Sequence, residues 1–292
     1  MKQLLILSGK GGTGKTTTAA AMIHFSKAKA IADCDVDAPN LHLVTKMDGK
    51  PEQSVFLGSE KAYIDSEKCI GCGKCMEHCR FQAVEKDGNR YRINEYACEG
   101  CGVCTYVCPQ QAVTMMEDEA GSCSLYKGEE VFSTATLKMG RGNSGKLVTA
   151  VKMAMIREAD ADLAVIDGSP GIGCPVIASV SGVNLVLIVA EPSVSGLSDL
   201  KRIIKTTSIL QTKTAVCVNK YDASPENTEK IEVFCKEQGI PFVGKIPYDK
   251  KASEAVNAGV SIVEFDCPAR DALYEVYCRT MELLDYKQQE AV

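Results

Sequence analysis

Cys69, Cys72, Cys75 and Cys79 stand at C-x2-C-x2-C-x3-C spacing, and Cys98, Cys101, Cys104 and Cys108 repeat it before running into Pro109. Thiolates in such runs suit soft metal centres. Structural zinc favours pairs of cysteines closed tetrahedrally, whereas triplets spaced by two, each followed by a fourth cysteine, match iron–sulfur ligation. The runs belong to a longer duplication at an offset of 29 residues, IDSEKCIGCGKCMEHCRFQAV from Ile64 against INEYACEGCGVCTYVCPQQAV from Ile93. All four cysteines and the trailing Gln-Ala-Val coincide, which predicts a pseudo-twofold unit built around two equivalent centres.

A second chemistry is written near the N-terminus. Gly9-Lys10-Gly11-Gly12-Thr13-Gly14-Lys15-Thr16 fits GxxxxGK[ST], follows the apolar run LLILS and opens a predicted helix. Backbone N–H groups of such a loop, with the partial positive charge of the helix N-terminus, favour phosphate oxygens. Lys15 is expected at the β and γ phosphates of ATP and Thr16 on Mg2+, with Gly9 to Thr17 as the nucleotide-binding stretch. Phosphoryl transfer to water relies mostly on positioning and charge neutralisation. None of His24, His42 and His78 is needed for it, and structural roles are expected for them.

The cysteine spacing resembles that of bacterial two-cluster ferredoxins, in which the fourth cysteine of each run serves the other cluster. It implies one [4Fe-4S] cluster on Cys69, Cys72, Cys75 and Cys108 and a second on Cys98, Cys101, Cys104 and Cys79. The Gly-rich loop, with its additional Lys10, resembles the deviant Walker A loop of the MinD/ParA superfamily, which includes the nitrogenase iron protein. That resemblance implies an ATP-dependent sandwich homodimer in which Lys10 contacts nucleotide across the interface. Asp33-Cys34-Asp35-Val36-Asp37 looks like the family's switch I, which gives Asp35 the role of helping to activate the attacking water. Leu163 to Asp167 with Ser169-Pro170-Gly171 resembles Walker B and switch II, implying Asp167 near Mg2+ through water and Gly171 as a γ-phosphate sensor. Asn219 in VNKYD and the loop Ile246-Pro247-Tyr248 match the two walls of the adenine pocket.

The elements that must position these residues are readable at both ends of the chain. Apolar LLILS, a helix from about Lys15 and a strand ending at Asp33 come first; DLAVID, NLVLIVAE, TAVCVN and PFVGKIP come later. Helices are predicted over Ser198 to Leu210, Asn227 to Gln238 and Asp271 to Leu284. Continuous apolar strands separated by helices predict a doubly wound, mainly parallel α/β sheet covered on both faces. Between them a Cys- and Gly-rich segment interrupts the alternation. The expected organisation is a discontinuous MinD-like P-loop domain, 1–57 and 120–292, with an inserted small α+β ferredoxin domain, 58–119, flanked by the polar linkers KMDGKPEQS and GSCSLYKGEE.

The formal net charge is −5 and no long basic block occurs, which argues against nucleic acid or anionic lipid as a partner. The N-terminus lacks the pattern of a signal peptide and no run of about 18 apolar residues appears, so a cytoplasmic protein is expected. Fifteen cysteines in that compartment are not a disulfide framework. Cys34, Cys123, Cys174, Cys217, Cys235, Cys267 and Cys278 lie outside the two runs and are expected as buried, inert thiols. Cys174, seven residues after Asp167 in switch II, is also a candidate functional thiol.

Two modules in one chain predict an ATPase whose nucleotide-driven dimerisation gates electron transfer through two clusters to a redox partner. The alternative is an ATP-dependent carrier or assembly protein that delivers clusters or metallocofactors to clients. Carriers of that family hold a cluster at a CxxC in the later part of the chain, where Cys217, Cys235, Cys267 and Cys278 are too far apart to supply one. Spatial positioning, the role of other superfamily members, is disfavoured because the C-terminal EVYCRTMELLDYKQQEAV lacks a basic amphipathic face.

Overall fold

A computed structural model describes every residue except Lys46, Asp48 and 287–292. Part of the first predicted linker and the last residues of the chain end therefore lie outside the described residues. The chain divides into a larger unit, Met1–Gln53, Cys123–Thr136 and Ser144–Val292, and a smaller one, Ser54–Ser122 and Leu137–Asn143. The smaller unit thus takes in a second segment, 137–143, that the sequence did not suggest.

The larger unit holds β1 (Lys2–Leu7), α1 (Lys15–Ser26), β2 (Ala30–Asp33), β3 (Val131–Leu137), α2 (Ser144–Glu158), β4 (Leu163–Asp167), α3 (Cys174–Val180), β5 (Leu185–Ala190), α4 (Val194–Ile209), β6 (Lys213–Asn219), α5 (Pro225–Glu237), β7 (Phe242–Ile246), α6 (Lys250–Ala258) and α7 (Pro268–Leu283). Its strands run in the order β7-β6-β5-β1-β4-β2-β3, and all these neighbours are parallel. Parallel strands put the loops that follow them on one edge. The order reverses about β1, where a doubly wound sheet opens its ligand crevice.

Burial on both faces explains why these strands read as unbroken apolar runs. Leu4 and Ile6 pack with Ala19 and Met22 of α1 and Leu273 of α7. Leu5 and Leu7, which project to the opposite face, are equally inaccessible. Helix α1 is buried nearly all round, so its sequence TTTAAAMI carries no amphipathic stripe. Helices α5 and α7 begin two or three residues earlier than their apolar patterns indicated, each with proline in its first turn, where the missing N–H costs nothing. Three helices of this unit were not foreseen, α2, α3 and α6. The first two are tied together by Lys152, whose buried ammonium donates to the carbonyls of Ser179 (2.7 Å) and Ser181 (2.6 Å) at the end of α3. Burial holds that lysine below its usual range.

The expectation of two loose polar linkers is corrected. Glu52–Leu57 and Glu119–Tyr126 are strands, so much of PEQS and GSCSLY is held by backbone ladders rather than left as coil. Polar residues on an exposed strand face gave these segments their linker-like composition.

In the smaller unit Lys61–Ile64 pairs antiparallel with Val113–Met116, and Val84–Asp87 with Arg90–Ile93. Each 29-residue repeat therefore lends one strand to each pair. The local bonds repeat at the same offset: Asp65 N–H donates to Ala112 O at 2.8 Å and Asn94 N–H to Ala83 O at 2.7 Å. Asp65 and Asn94 side chains accept from Glu67 and Tyr96 N–H at 2.9 and 3.0 Å, opening both repeats with the same turn. Gly71 and Gly100 share φ of +68°, and a Cβ would lie 2.1 Å from Asn89 O at the first and 2.2 Å from Glu60 O at the second. Glycine is required at both for the same reason. The core is small and largely made of cysteine: Cys75 and Cys98 are buried with Ala62, Ile64, Ala83, Val84 and Val113, and Cys69, Cys79, Cys104 and Cys108 pack against them.

Candidate functional site

The loops after β1, β2, β4, β6 and β7 surround a cleft of about 780 Å3, a size that suits a small-molecule ligand. It is lined by Lys10 to Thr17, by Asp35 of the loop after β2, by Asn219 after β6 and by Ile246, Pro247 and Tyr248 after β7. Those positions are up to 238 residues apart and include most of the residues singled out in the sequence. Gly9 lies beside this wall instead, where a Cβ would fall 2.3 Å from Asp199 Cβ.

The loop is shaped from behind. Gly12 and Gly14 take φ of +79° and +91°, the left-handed region that glycine enters without cost. Asn219 Nδ2 donates to Thr13 O at 2.7 Å, and Lys220 Nζ donates to Gly12 O at 3.1 Å. Asn219 therefore braces the Gly-rich loop as well as lining the cleft. Lys220 was missed by the sequence reading; only its place beside Asn219 hinted at it. Gly171 N–H donates to Ser8 O at 3.0 Å, joining the start of switch II to the same loop.

The charged centre is compact. Lys15 Nζ lies 2.6 Å from Asp167 Oδ1 and 3.6 Å from Asp35 Oδ2, and Thr16 Oγ1 donates to Asp167 Oδ2 at 2.7 Å. Burial pulls the Lys15 ammonium down, but the Asp167 carboxylate, with Asp35 and Asp33 behind it, outweighs burial and holds it above its usual value. Burial pushes Asp35 up, opposed by Lys15. Asp33 accepts N–H bonds from Asp35, Asn40 and Leu41, each at 3.0 Å. It organises the whole Asp35–Leu41 loop, a role the sequence did not assign to it. Burial, then the charge of Asp167, push Asp33 up to about 7.

This arrangement fits a magnesium nucleotide. Helix α1 begins at the loop with no acidic residue in its first turn, leaving its N-terminal dipole free to favour an anion. A hydroxyl and a carboxylate side by side are the hard oxygen donors that Mg2+ prefers. Thr16 and Asp167 would hold the ion, and Lys15 with the loop N–H groups would hold the phosphates. Lys10 is placed apart from them: its ammonium pairs with Glu191 and lies 3.3 Å from Ser195 Oγ, both in its own chain.

In the smaller unit Cys69, Cys72, Cys75 and Cys108 line one cavity, and Cys98, Cys101, Cys104 and Cys79 line another. Each cavity thus takes three thiols from one repeat and the fourth from the other. Ala112 N–H donates to Cys108 Sγ at 3.3 Å and Ala83 N–H to Cys79 Sγ at 3.4 Å. Among the described residues no three His, Cys, Asp or Glu converge as a single metal ion would require. Four thiols spread around an apolar cavity, with amides directed at sulfur, are a donor set that fits a multi-iron cluster.

The expectation of burial for the other seven cysteines holds for four. Cys34, Cys217, Cys235 and Cys267 are buried, and desolvation pushes Cys217 up to about 12 and Cys235 up to about 11, leaving neutral thiols. Cys123 and Cys278 are half-buried. Cys174 is corrected: it is exposed, because it opens α3 ahead of the residues, Val176 and Val180, that turn inward. No helix among the described residues is long and apolar enough to cross a membrane.

Comparison with known proteins supports the geometry. An uncharacterized protein of Methanocaldococcus jannaschii, MJ0578, is 31% identical over 289 residues, covering 97% of each chain. The iron-sulfur cluster carrier protein of Pyrococcus abyssi is 26% identical over 94% of this chain and 83% of its own. Among solved structures, the septum site-determining protein MinD of Pyrococcus horikoshii, complexed with Mg-ADP, superposes with a TM-score of 0.56 at 16% identity over 94% of each chain, a likeness of fold. Residues 4–262 match the CobQ/CobB/MinD/ParA nucleotide binding domain, and with the bracing of its Gly-rich loop and the Lys15–Asp167 pair in place, the chain belongs to that family.

Proposed function

We propose that this chain is an ATP-hydrolysing iron–sulfur protein that works as an ATP-dependent homodimer and whose nucleotide state gates electron transfer through two [4Fe-4S] clusters to a partner. The observation that carries this reading is the pairing, in one chain, of a complete phosphate-binding centre with two four-thiol cavities. In the larger unit the loop N–H groups and Lys15 neutralise phosphate charge, Thr16 and Asp167 serve Mg2+, and Asp35, buried beside Lys15, orients the attacking water. Gly171, whose N–H donates to Ser8 O beside the loop, would sense the γ-phosphate. In the smaller unit the eight cysteines hold the clusters, which supply one-electron chemistry when bound.

Anaerobic purification should give about eight irons per chain, the content of two four-iron clusters. Electron transfer from the reduced protein should then run at different rates with ATP, with ADP and without nucleotide. Equal rates in all three states would sink the gating.

A second reading is favoured by the similarity to an iron-sulfur cluster carrier protein along 94% of the chain: ATP binding would control release of a cluster to a client. Against it, Cys217, Cys235 and Cys267 in the later part of the chain are buried. Movement of a labelled cluster to an apo-acceptor, faster with ATP, would put this reading first.

A further inference from the structure

The 29-residue repeat makes each four-thiol cavity a control for the other. The turns opening the repeats, the left-handed glycines and the N–H···S bonds are duplicated, so backbone contributions to the two centres nearly cancel. Ile64 and Ile93, Gly73 and Gly102, Ala112 and Ala83, and Val113 and Val84 also match across the lining. Four positions that line both cavities differ, and Pro109 lines the first alone. The Cys69/Cys72/Cys75/Cys108 cavity has Lys74, Ile70, Tyr91 and Gln110, where the Cys98/Cys101/Cys104/Cys79 cavity has Val103, Glu99, Ala62 and Phe81.

All four differences act in one direction. A cluster becomes more negative when it takes an electron, so a nearby cation or hydrogen-bond donor raises its reduction potential and an anion or apolar wall lowers it. The first cavity has an ammonium, a phenol and an amide; the second has a carboxylate, a phenyl ring and two aliphatic side chains. The Tyr91 hydroxyl lies within 3.1 Å of where a Gly73 Cβ would stand, so it is at the cavity wall. Lys61 donates to Cys98 O beside the second cavity and so opposes this direction there; its counterpart in the repeat, Arg90, is exposed, and neither lines a cavity. Arg80 adjoins Cys79 where the other repeat has Pro109, and unlike Lys74 and Glu99 it lines neither cavity.

We infer that the two cluster sites are electronically unequal, and that the site of Cys69, Cys72, Cys75 and Cys108 holds the first electron. This rests on the iron–sulfur reading given above. Each cluster takes one electron from an external one-electron reductant. An electron that arrives at the Cys98 site passes on to the Cys69 site, returning the Cys98 cluster to its oxidised form. The Cys98 site is then the relay and the Cys69 site the store.

The test is anaerobic potentiometry followed by EPR on the full, cluster-loaded chain, with dithionite as reductant. Two one-electron components should appear, separated by at least tenfold in equilibrium constant, about 59 mV for a one-electron couple. Lys74→Val should lower the higher component and leave the lower in place; Glu99→Ile should raise the lower one. Both side chains are exposed, so neither change threatens folding. Combining them should bring the components together. A single shared potential in the unsubstituted protein, no shift in the variants, or Lys74→Val acting on the lower component would overturn the inference. Iron and sulfide analysis of the same sample separates the two failures: eight irons with equal potentials defeats only the inequality, whereas absence of iron defeats the cluster reading and the inference with it.

Discussion

The two sites are assembled in opposite ways. In the larger unit the charged centre joins residues 152 positions apart, Lys15 and Asp167, and its loop is braced from 206 positions away by Asn219. A parallel sheet buried on both faces, with Leu4 to Leu7 fully inaccessible, carries these groups on the loops at one edge. In the smaller unit each cavity draws three thiols from a run of seven residues and the fourth from the neighbouring repeat. There the thiols are themselves much of the core. Small units with so little apolar core lean on metal or covalent staples. One site is thus a product of its fold, whereas the other helps to produce it.

The sharpest break of that contrast is to replace Cys75 and Cys104 together with serine. The smaller unit should become open to proteolysis between residues 54 and 122 while the larger still binds ATP, read by limited digestion and calorimetry. Unchanged resistance would show that the thiols are passengers there too.

In the larger unit Lys15→Met should abolish measurable ATP binding. It should also destabilise that unit by about 3–5 kcal/mol in a urea melt, because it strands a buried carboxylate; Asp167 is wholly inaccessible. A loss of binding with no loss of stability would mean that Thr16 suffices to hold Asp167.

An effect of similar size, spread over pH, is a slope in stability. Folding lifts Asp33 from 3.8 to about 7. Between those values the folded chain keeps a proton that the unfolded chain releases, so this group's contribution to stability falls as pH rises through the window. Asp33→Asn cannot ionise and should flatten the slope. The check is the difference in urea midpoint between variant and parent from pH 4 to pH 7; a constant difference would leave Asp33 without a shift.

Much of the fold was legible because its signals are local. Apolar runs marked the strands after which the site residues stand, and the Gly-rich loop announced itself between a strand and a helix. The Cys174–Val180 helix was not legible: it is short, and its apolar residues are split between exposed Ile177 and buried Val176 and Val180. The strand Glu119–Tyr126 was read as a linker because its composition is polar. Asp33 was passed over because its importance lies in three backbone N–H groups that bend back onto it. No side-chain pattern records that.

What the sequence determined is the chemistry available: a phosphate loop, a hydroxyl and a carboxylate suited to a hard cation, and eight thiols in two equal runs. Spacing carries this information because each motif acts through neighbours a few residues apart. Tertiary structure decided what those groups meet. It set Lys10 against Glu191, gave Asn219 a brace to hold as well as a cleft to line, and lifted Asp33 by burying it beside Asp167. It also placed Lys74 and Tyr91 at one set of thiols and Glu99 and Phe81 at the other. Burial and charge depend on what folds against a residue, and that is settled by contacts far along the chain.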